Sequence, residues 1–208
     1  MHSTNIILKK NNIMLLGKEK KMPKFVLIIG PQAVGKMTVG QELSKLIDYK
    51  LFYNHMTIDL LLNLFEYSSE QFKKLNGLFR LQIFEEFAKS EQKGIIFTGC
   101  FDFGNDCEKE KVETGKWMSL FEESYVVELE TTLEERLRRN KTANRLEHKA
   151  SKRDLEWSEN ELLNSLKKHR LNSEPGEGEK IFKNYLKIDN TNLSAEEVAK
   201  MIKEKFEL

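Results

Sequence analysis

The chain has 208 residues, and its 34 Lys and Arg nearly balance its 33 Asp and Glu to give a formal net charge of +1 at pH 7. A charge this close to zero excludes a global electrostatic attraction to nucleic acid or to an anionic membrane. The longest apolar runs are much shorter than a membrane span. Two cysteines, Cys100 and Cys107, are too few for a disulfide framework or a zinc site, and we expect free thiols in a reducing cytoplasm.

The first 22 residues are expected to precede the folded domain. Residues 1–21 hold two short apolar pieces, NIIL and IMLL, which are interrupted by Lys9, Lys10 and asparagines and lack a small-residue cleavage site. This pattern does not predict a signal peptide. Our hypothesis is that residues 1–22 form a disordered extension, or that translation starts at Met22, and that residues 23–208 form one domain.

Strands and helices are predicted to alternate along residues 23–208. The unbroken apolar run FVLII predicts a strand at residues 25–29 that is buried on both faces, and further strands are predicted at residues 50–53, 95–99, 125–130 and 185–189. Helices are predicted at about residues 36–48, 56–66, 69–92, 106–122, 132–140, 158–170 and 194–206, the last with a capping box of Ser194 and Glu197. The polar residues 140–156 are expected to form a mobile connection. The alternation predicts an α/β fold with a parallel sheet and right-handed crossovers.

The segment GPQAVGKMT, residues 30–38, follows the first predicted strand and begins the first predicted helix. Gly30, Gly35 and Lys36 have the spacing of a phosphate-binding loop, and such a loop needs a strand before it and a helix after it. N–H groups at a helix N-terminus bind anions, glycines allow close approach, and lysine supplies positive charge. The residues expected to surround nucleotide phosphates are Gly30, Ala33, Val34, Gly35, Lys36, Met37 and Thr38.

The residue after Lys36 departs from the usual motif. A Ser or Thr at that position ligates Mg²⁺ through its hydroxyl, but this chain has Met37, with Thr38 one position later. Thr38 can still offer its hydroxyl to a phosphate or to the metal. We expect Mg²⁺ to be held largely through water and a carboxylate, with Thr38 and Asp102 as the candidate metal residues.

The segments GPQAVGKMTVGQELSK and DNTNLSAEEVAKMI make the chain resemble the small P-loop kinases, which include shikimate kinase, nucleoside monophosphate kinases and chloramphenicol phosphotransferase. The resemblance covers about residues 23–206. It implies a three-layer α/β sandwich with a five-stranded parallel sheet in the order 2-3-1-4-5, acceptor-binding helices at about residues 54–92 and an arginine-bearing lid at about residues 140–157. It also implies transfer of the γ-phosphoryl group of ATP to a small acceptor, and it places Asn190 and Thr191 at the adenine.

Five arginines follow the fourth predicted strand, in or near the expected lid: Arg136, Arg138, Arg139, Arg145 and Arg153. Arginines stabilise the charge that spreads over a transferred phosphoryl group. We expect Arg139 and Arg145 to act on phosphate, and Arg136 or Arg138 to lie on the face of the adenine ring. The alternative for any one of them is an exposed helix charge with no role in binding.

The acceptor is expected beside FYNHMTID, which contains the end of the second strand. Shikimate kinase has an Asp-x-Asp sequence there, and Asn54 and Met56 replace both acids, which argues against shikimate as the acceptor. Asn54 is a candidate acceptor contact. His55 is a candidate general base with a pKa near the working pH, and Asp59, one helical turn later, would orient it or take the proton. The alternative for His55 and Asp59 is a purely structural role.

Two further residues are candidates for the acceptor site. Asp102 comes just after the third strand, where the ligands of parallel α/β sheets collect, and would hold Mg²⁺-bound water or an acceptor hydroxyl. Arg80 lies in the helical region from which nucleoside monophosphate kinases supply arginines to the acceptor phosphate. Its alternative role is to cover the core with its aliphatic stem.

These patterns together predict a kinase that uses ATP and Mg²⁺ and acts on a small molecule or a nucleotide. One alternative is a nucleotide-hydrolysing regulator, which is disfavoured because no strand-end acid is followed by a clear glutamine or glutamate. The other is an ATP-binding nucleic-acid-end kinase or binding module, which the near-zero net charge disfavours.

Overall fold

Five short segments form one parallel β-sheet. The computed structural model describes residues 22–208, and its strands are β1 (Lys24–Ile29), β2 (Lys50–Tyr53), β3 (Gly94–Thr98), β4 (Ser124–Glu130) and β5 (Tyr185–Asp189). Their order across the sheet is β2-β3-β1-β4-β5, and every neighbouring pair is parallel. This arrangement confirms the predicted α/β fold and its strand order.

The central strand β1 is buried on both faces, as its unbroken apolar sequence predicts. Its alternate residues belong to two separate cores, because successive side chains of a strand point to opposite faces. Val26 and Ile28 pack into one core with residues of the first and last helices. Phe25 and Leu27 pack into the other, which is rich in aromatic rings. The sheet is therefore covered by helices on both sides.

Nine helices within the described part of the chain flank or follow the strands. They are α1 (Lys36–Ile47), α2 (His55–Leu62), α3 (Glu70–Lys89), α4 (Cys107–Met118), α5 (Leu133–Asn140), α6 (Ala143–His148), α7 (Leu155–Lys168), α8 (Glu177–Ile181) and α9 (Ala195–Phe206). The predicted capping box is present at the start of α9, where Ser194 and Glu197 exchange hydrogen bonds. No helix of residues 22–208 is long and apolar enough to cross a membrane.

The segment predicted as a mobile connection contains regular structure. Helix α6 and a short 3-10 turn (Ala150–Lys152) lie within it, and we call residues 140–157 the lid. Asn144 of α6 donates side-chain hydrogen bonds to Thr38 and Gln41 of α1. The sequence did not reveal α6 because its polar residues are fixed by these distant partners and not by a periodic apolar face. The extension proposed for residues 1–22 lies, apart from Met22, outside the described residues.

Candidate active site

The loop between β1 and α1 requires glycine at both of its ends. Gly30 has φ +136° and Gly35 has φ +110°, in a backbone region that L side chains rarely adopt. A Cβ atom at Gly30 would also lie 2.4 Å from the carbonyl oxygen of Leu129. Ala33, inside the loop, has φ +60°. This backbone curls around the N-terminus of α1, where free N–H groups favour an anion.

Lys36, the first residue of α1, is buried beneath this loop. Its ammonium group donates hydrogen bonds to the carbonyl oxygens of Gly30 (2.5 Å) and Pro31 (2.7 Å). Within residues 22–208, no carboxylate pairs with it. Burial lowers the pKa of Lys36, and the positive charges of Arg145 and Arg136 lower it further, against an opposing effect of Cys100. The loop therefore surrounds a positive charge that no acidic side chain compensates.

Three more basic residues are buried near Lys36, and we call these four residues the cation cluster. The exposed fractions are 8% for Lys36, 3% for Arg136, 8% for Arg145 and 9% for Lys149. Two of their nitrogen atoms, Nη2 of Arg136 and Nε of Arg145, are buried without any hydrogen-bond partner. Buried charges are costly unless they are paired. The cation cluster therefore fits a polyanion such as a chain of phosphates.

A cavity of about 840 Å³ runs along the carboxyl edge of the sheet, over the phosphate loop. It is lined by Asn190 and Leu193 after β5 and by Asn54 and His55 after β2, which are the two outer strands. Its volume lies in the range of ligand-binding pockets. The sheet thus brings a nucleotide-sized space and two of the predicted acceptor residues, Asn54 and His55, into one cavity.

Arg138 and Arg139 line the cavity but differ in their contacts. Arg139 donates hydrogen bonds to Glu135 Oε1 (2.6 Å) and to the carbonyl oxygens of Val34 and Asn190 (2.8 Å each). Its guanidinium therefore joins the loop to the segment after β5. Arg138 is paired with Glu135 at 2.6 Å and its side chain is exposed. Of the two arginines expected on phosphate, Arg145 has donors free for a ligand, whereas those of Arg139 bind other residues of the protein.

The two residues expected at the adenine have different positions. Asn190 is buried, lines the cavity and donates a hydrogen bond of 2.9 Å to the Val34 carbonyl oxygen. Thr191 is not among the cavity-lining residues, and its hydroxyl donates to Asp189 at 2.6 Å. Leu193 and Ala195 add apolar surface beside Asn190. This end of the cavity combines apolar surface with an amide, a combination that is common in ligand pockets.

On the side of the cavity where the acceptor is expected, His55 and Asp59 lie on the first turns of α2 and contact Ser151 of the lid. His55 Nδ1 is 3.0 Å from Asp59 Oδ1, and the Ser151 hydroxyl donates to the same oxygen at 2.7 Å. We assign the Nδ1 proton to the bond with Asp59, which leaves Nε2 as an acceptor. Sequence analysis did not identify Ser151, which lies 92 residues from Asp59.

The titration of His55 differs from the expectation of a pKa near neutral pH. Burial lowers its pKa to about 4; the hydrogen bond to Asp59 opposes this shift, and the charges of Lys149 and Lys152 add to it. The imidazole is therefore neutral at physiological pH. The pKa of Asp59 is lowered, because the bonds from His55 and Ser151 outweigh its own burial.

Arg80 does not line the cavity, and its side chain contacts the start of α2. It donates hydrogen bonds to the Thr57 hydroxyl (3.3 Å) and the Asn54 carbonyl oxygen (3.4 Å). Its guanidinium lies over the Phe97 ring, 5.4 Å from the centroid. Burial lowers the pKa of Arg80. These contacts suit a residue that positions the start of α2.

Asp102 does not line the cavity either. Its Oδ2 accepts a hydrogen bond from His169 Nδ1 (2.8 Å), and its Oδ1 accepts from the backbone N–H groups of Gly104 (2.7 Å) and Arg170 (3.1 Å). Both oxygens thus already have protein partners. Asp102 therefore offers no unpartnered oxygen to the cavity that Lys36 and Thr38 line, and its role as a metal residue stays a prediction.

The fit to Mg²⁺ therefore depends on few protein ligands. Met37 is buried and offers no oxygen. The Thr38 hydroxyl lines the cavity and accepts a hydrogen bond of 3.2 Å from Asn144. Within residues 22–208, the carboxylates that line the cavity are Glu66, Asp154 and Glu161. The site fits a Mg²⁺ ion that phosphate oxygens and water hold, with Thr38 as a contact.

No protein-family model matches the sequence, and no curated protein matches it. Solved structures do match. A sugar kinase from Janibacter sp. HTCC2649 aligns with a TM-score of 0.59 and 12% identity over 89% of this chain and 95% of that one. Shikimate kinase from Acinetobacter baumannii, in complex with shikimate, aligns with a TM-score of 0.55 and 17% identity over 90% and 95%. A gluconokinase from Sinorhizobium meliloti 1021 aligns with a TM-score of 0.54 and 11% identity over 90% and 93%. The chain therefore has the α/β fold of the small P-loop kinases.

Proposed function

We propose that this protein is an ATP-dependent phosphotransferase that moves the γ-phosphoryl group of ATP to a small-molecule or nucleotide acceptor in the cytoplasm. The observation that carries the proposal is the cation cluster beneath the phosphate loop, in which two nitrogen atoms are buried without partners. The fold shared with sugar, shikimate and gluconate kinases supports it. Near-zero net charge favours a small acceptor over a nucleic acid.

The nucleotide would lie along the loop, with its phosphates on the N-terminus of α1. Lys36 and Arg145 supply positive charge, and the loop N–H groups supply hydrogen bonds. The base would occupy the end of the cavity at Asn190 and Leu193, with Arg138 at its edge. When bound, Mg²⁺ would neutralise phosphate charge next to the Thr38 hydroxyl.

The acceptor hydroxyl would bind at the other end of the cavity, beside Asn54 and His55. Neutral His55, oriented by Asp59, presents Nε2 as a proton acceptor. In the transfer, the acceptor oxygen forms a bond to the γ-phosphorus, the bond to the bridging oxygen breaks, and ADP leaves with that electron pair. The hydroxyl proton passes to His55. A pKa of about 4 makes this imidazole a weak base, so its contribution is mainly orientation of the hydroxyl.

The lid would exclude water from this reaction. Its helix α6 contacts α1 through Asn144, and its 3-10 turn contacts α2 through Ser151. These contacts cover the space between the donor and acceptor ends. A covered site suppresses transfer to water in the absence of an acceptor.

The proposal is tested by ADP release from ATP and Mg²⁺, with and without a panel of acceptors: nucleoside monophosphates, nucleosides, shikimate, sugar acids and aminoglycoside- or chloramphenicol-like alcohols. We expect one class to stimulate release, and Lys36→Ala to lower the rate about 100-fold or more. Lys200→Ala, at an exposed lysine paired with Glu196, is the matched control. Fast release that no acceptor stimulates would favour the hydrolase, and tight binding of oligonucleotides at moderate salt would favour the nucleic-acid module.

A further inference from the structure

Lys149 is a buried lysine of the lid whose side chain has no partner among residues 22–208. It lies between α6 and the 3-10 turn, it is 9% exposed, and its side chain lines the cavity. Its ammonium group makes no hydrogen bond or ion pair with any residue from 22 to 208. Lys152, three residues later and equally buried, pairs with Glu161 at 2.6 Å. Of these two lid lysines, only Lys149 has its donors free for a ligand.

Charges from several elements act on Lys149. Most of those that shift its pKa are positive, and the carboxylates of Glu66, Asp154 and Glu161 also line its cavity. Arg145 of α6, Lys36 of α1 and Lys152 of the 3-10 turn oppose its protonation, and Cys100 after β3 favours it. Together with burial, which has the largest effect, they lower the pKa of Lys149 to about 7. The charge of Lys149 in turn lowers the pKa of His55. Lys149 is thus within electrostatic reach of both Lys36 on the donor side and His55 on the acceptor side.

We propose that Lys149 is a phosphate ligand of the lid and contacts the phosphoryl group during its passage from the nucleotide at Lys36 to the acceptor at His55. The proposal rests on the proposed function. An ammonium group offers three donors, and in Lys149 none of them is used within the part of the chain that the structure describes. An entering phosphate supplies the missing opposite charge, so it raises the pKa of Lys149 and draws a proton onto it. The charged lysine then stabilises the negative charge of the transferred group.

The test is calorimetric titration with the non-transferring ATP analogue AMP-PNP and Mg²⁺ at about pH 8, in two buffers of different ionisation enthalpy. The difference between the buffers gives the number of protons taken up on binding. We expect wild-type protein to take up close to one proton more than Lys149→Met. The variant should bind AMP-PNP about 10- to 100-fold more weakly, with a smaller loss for ADP, which lacks the γ-phosphate. Lys141→Met, at an exposed lid lysine paired with Glu159, should behave like wild type.

Lys149→Arg distinguishes a lost charge from a misfolded lid. Arginine stays protonated, so this variant should keep its affinity for AMP-PNP within a few-fold and take up no extra proton. Equal proton uptake and affinity in wild type and Lys149→Met would overturn the proposal alone. Proton uptake by Lys149→Arg equal to that of wild type would also overturn the proposal. This comparison is the deciding test if Lys149→Met does not fold. Failure of wild-type protein to bind AMP-PNP or ADP would overturn the proposed function as well.

Discussion

Asn144 of the lid donates a hydrogen bond of 3.2 Å to the hydroxyl of Thr38, at the start of α1 and 106 residues away in the sequence. The same amide donates to Gln41 Oε1 at 3.1 Å, and Gln41 Nε2 lies 3.4 Å from His148 Nε2. Helix α6 therefore contacts α1, the helix that begins at the loop after β1, through these side chains. A single side chain links the position of the lid to the one loop hydroxyl that is available for phosphate or metal.

We expect Asn144→Ala to loosen this link between lid and loop. Loss of two hydrogen bonds should raise the KM for ATP about 3- to 10-fold and increase the fraction of ATP hydrolysed without acceptor, because water enters a less well closed site. Steady-state ADP release measures both effects. Asn164→Ala, on an exposed position of α7, is the control, and an unchanged KM and hydrolysis rate in Asn144→Ala would show that the contact does not govern closure.

Gly30→Ala should destabilise the protein. The φ of +136° and the Cβ position 2.4 Å from the Leu129 carbonyl oxygen predict a loss of about 1–3 kcal/mol from backbone conformation alone, plus the displacement of β4. Gly77→Ala is the matched control, because a Cβ there meets no atom within 4 Å and Gly77 lies in helix α3. It should add about 0.4–1 kcal/mol to the free energy of unfolding. Urea unfolding measures both, and equal effects would contradict the loop geometry.

Arg145→Met should abolish most of the activity and leave the fold intact. Arg145 is buried with a partnerless Nε atom, so its removal takes away a phosphate donor but no internal hydrogen bond of the described residues. We expect kcat to fall about 100- to 1,000-fold and the melting temperature without nucleotide to stay level or rise. Arg138→Met, at an exposed arginine of the cavity edge, should alter mainly the KM for ATP. A larger kcat loss in Arg138→Met would reverse these roles.

The low pKa of His55 predicts a stability change in mild acid. Its pKa is about 4 in the folded protein and 6.5 in the reference state, so between these values the unfolded chain binds more protons and the free energy of unfolding falls as pH falls. We expect wild type to lose about 2–3 kcal/mol more than His55→Asn between about pH 6.5 and pH 4.5. Urea unfolding at the two pH values measures this difference. Equal losses of unfolding free energy in wild type and His55→Asn would show that His55 is not buried as a neutral group.

Several features were predictable from the sequence because they depend on neighbouring residues. The apolar run of β1 follows from burial on both faces of a parallel sheet, and the loop after it follows from the glycine spacing and the need for positive φ. The capping box of Ser194 and Glu197 is set by groups within one helical turn. The strand order agreed with the resemblance to P-loop kinases, which the same loop residues carried.

The roles of individual polar side chains depended on partners far away in the chain. Asp102 has the sequence position of a metal ligand, but His169 and Arg170, 67 and 68 residues later, bind both its oxygens. Arg139 donates hydrogen bonds to the loop and to the segment after β5, whereas Arg145 has donors free for a ligand. No local sequence pattern distinguishes these two arginines. Sequence by itself determined the fold class and the glycine-dependent backbone of the loop between β1 and α1, because backbone conformation and apolar periodicity are local. Only the tertiary structure decided which charges are paired and which face the cavity, because burial and long-range contacts set the electrostatic environment of Lys149.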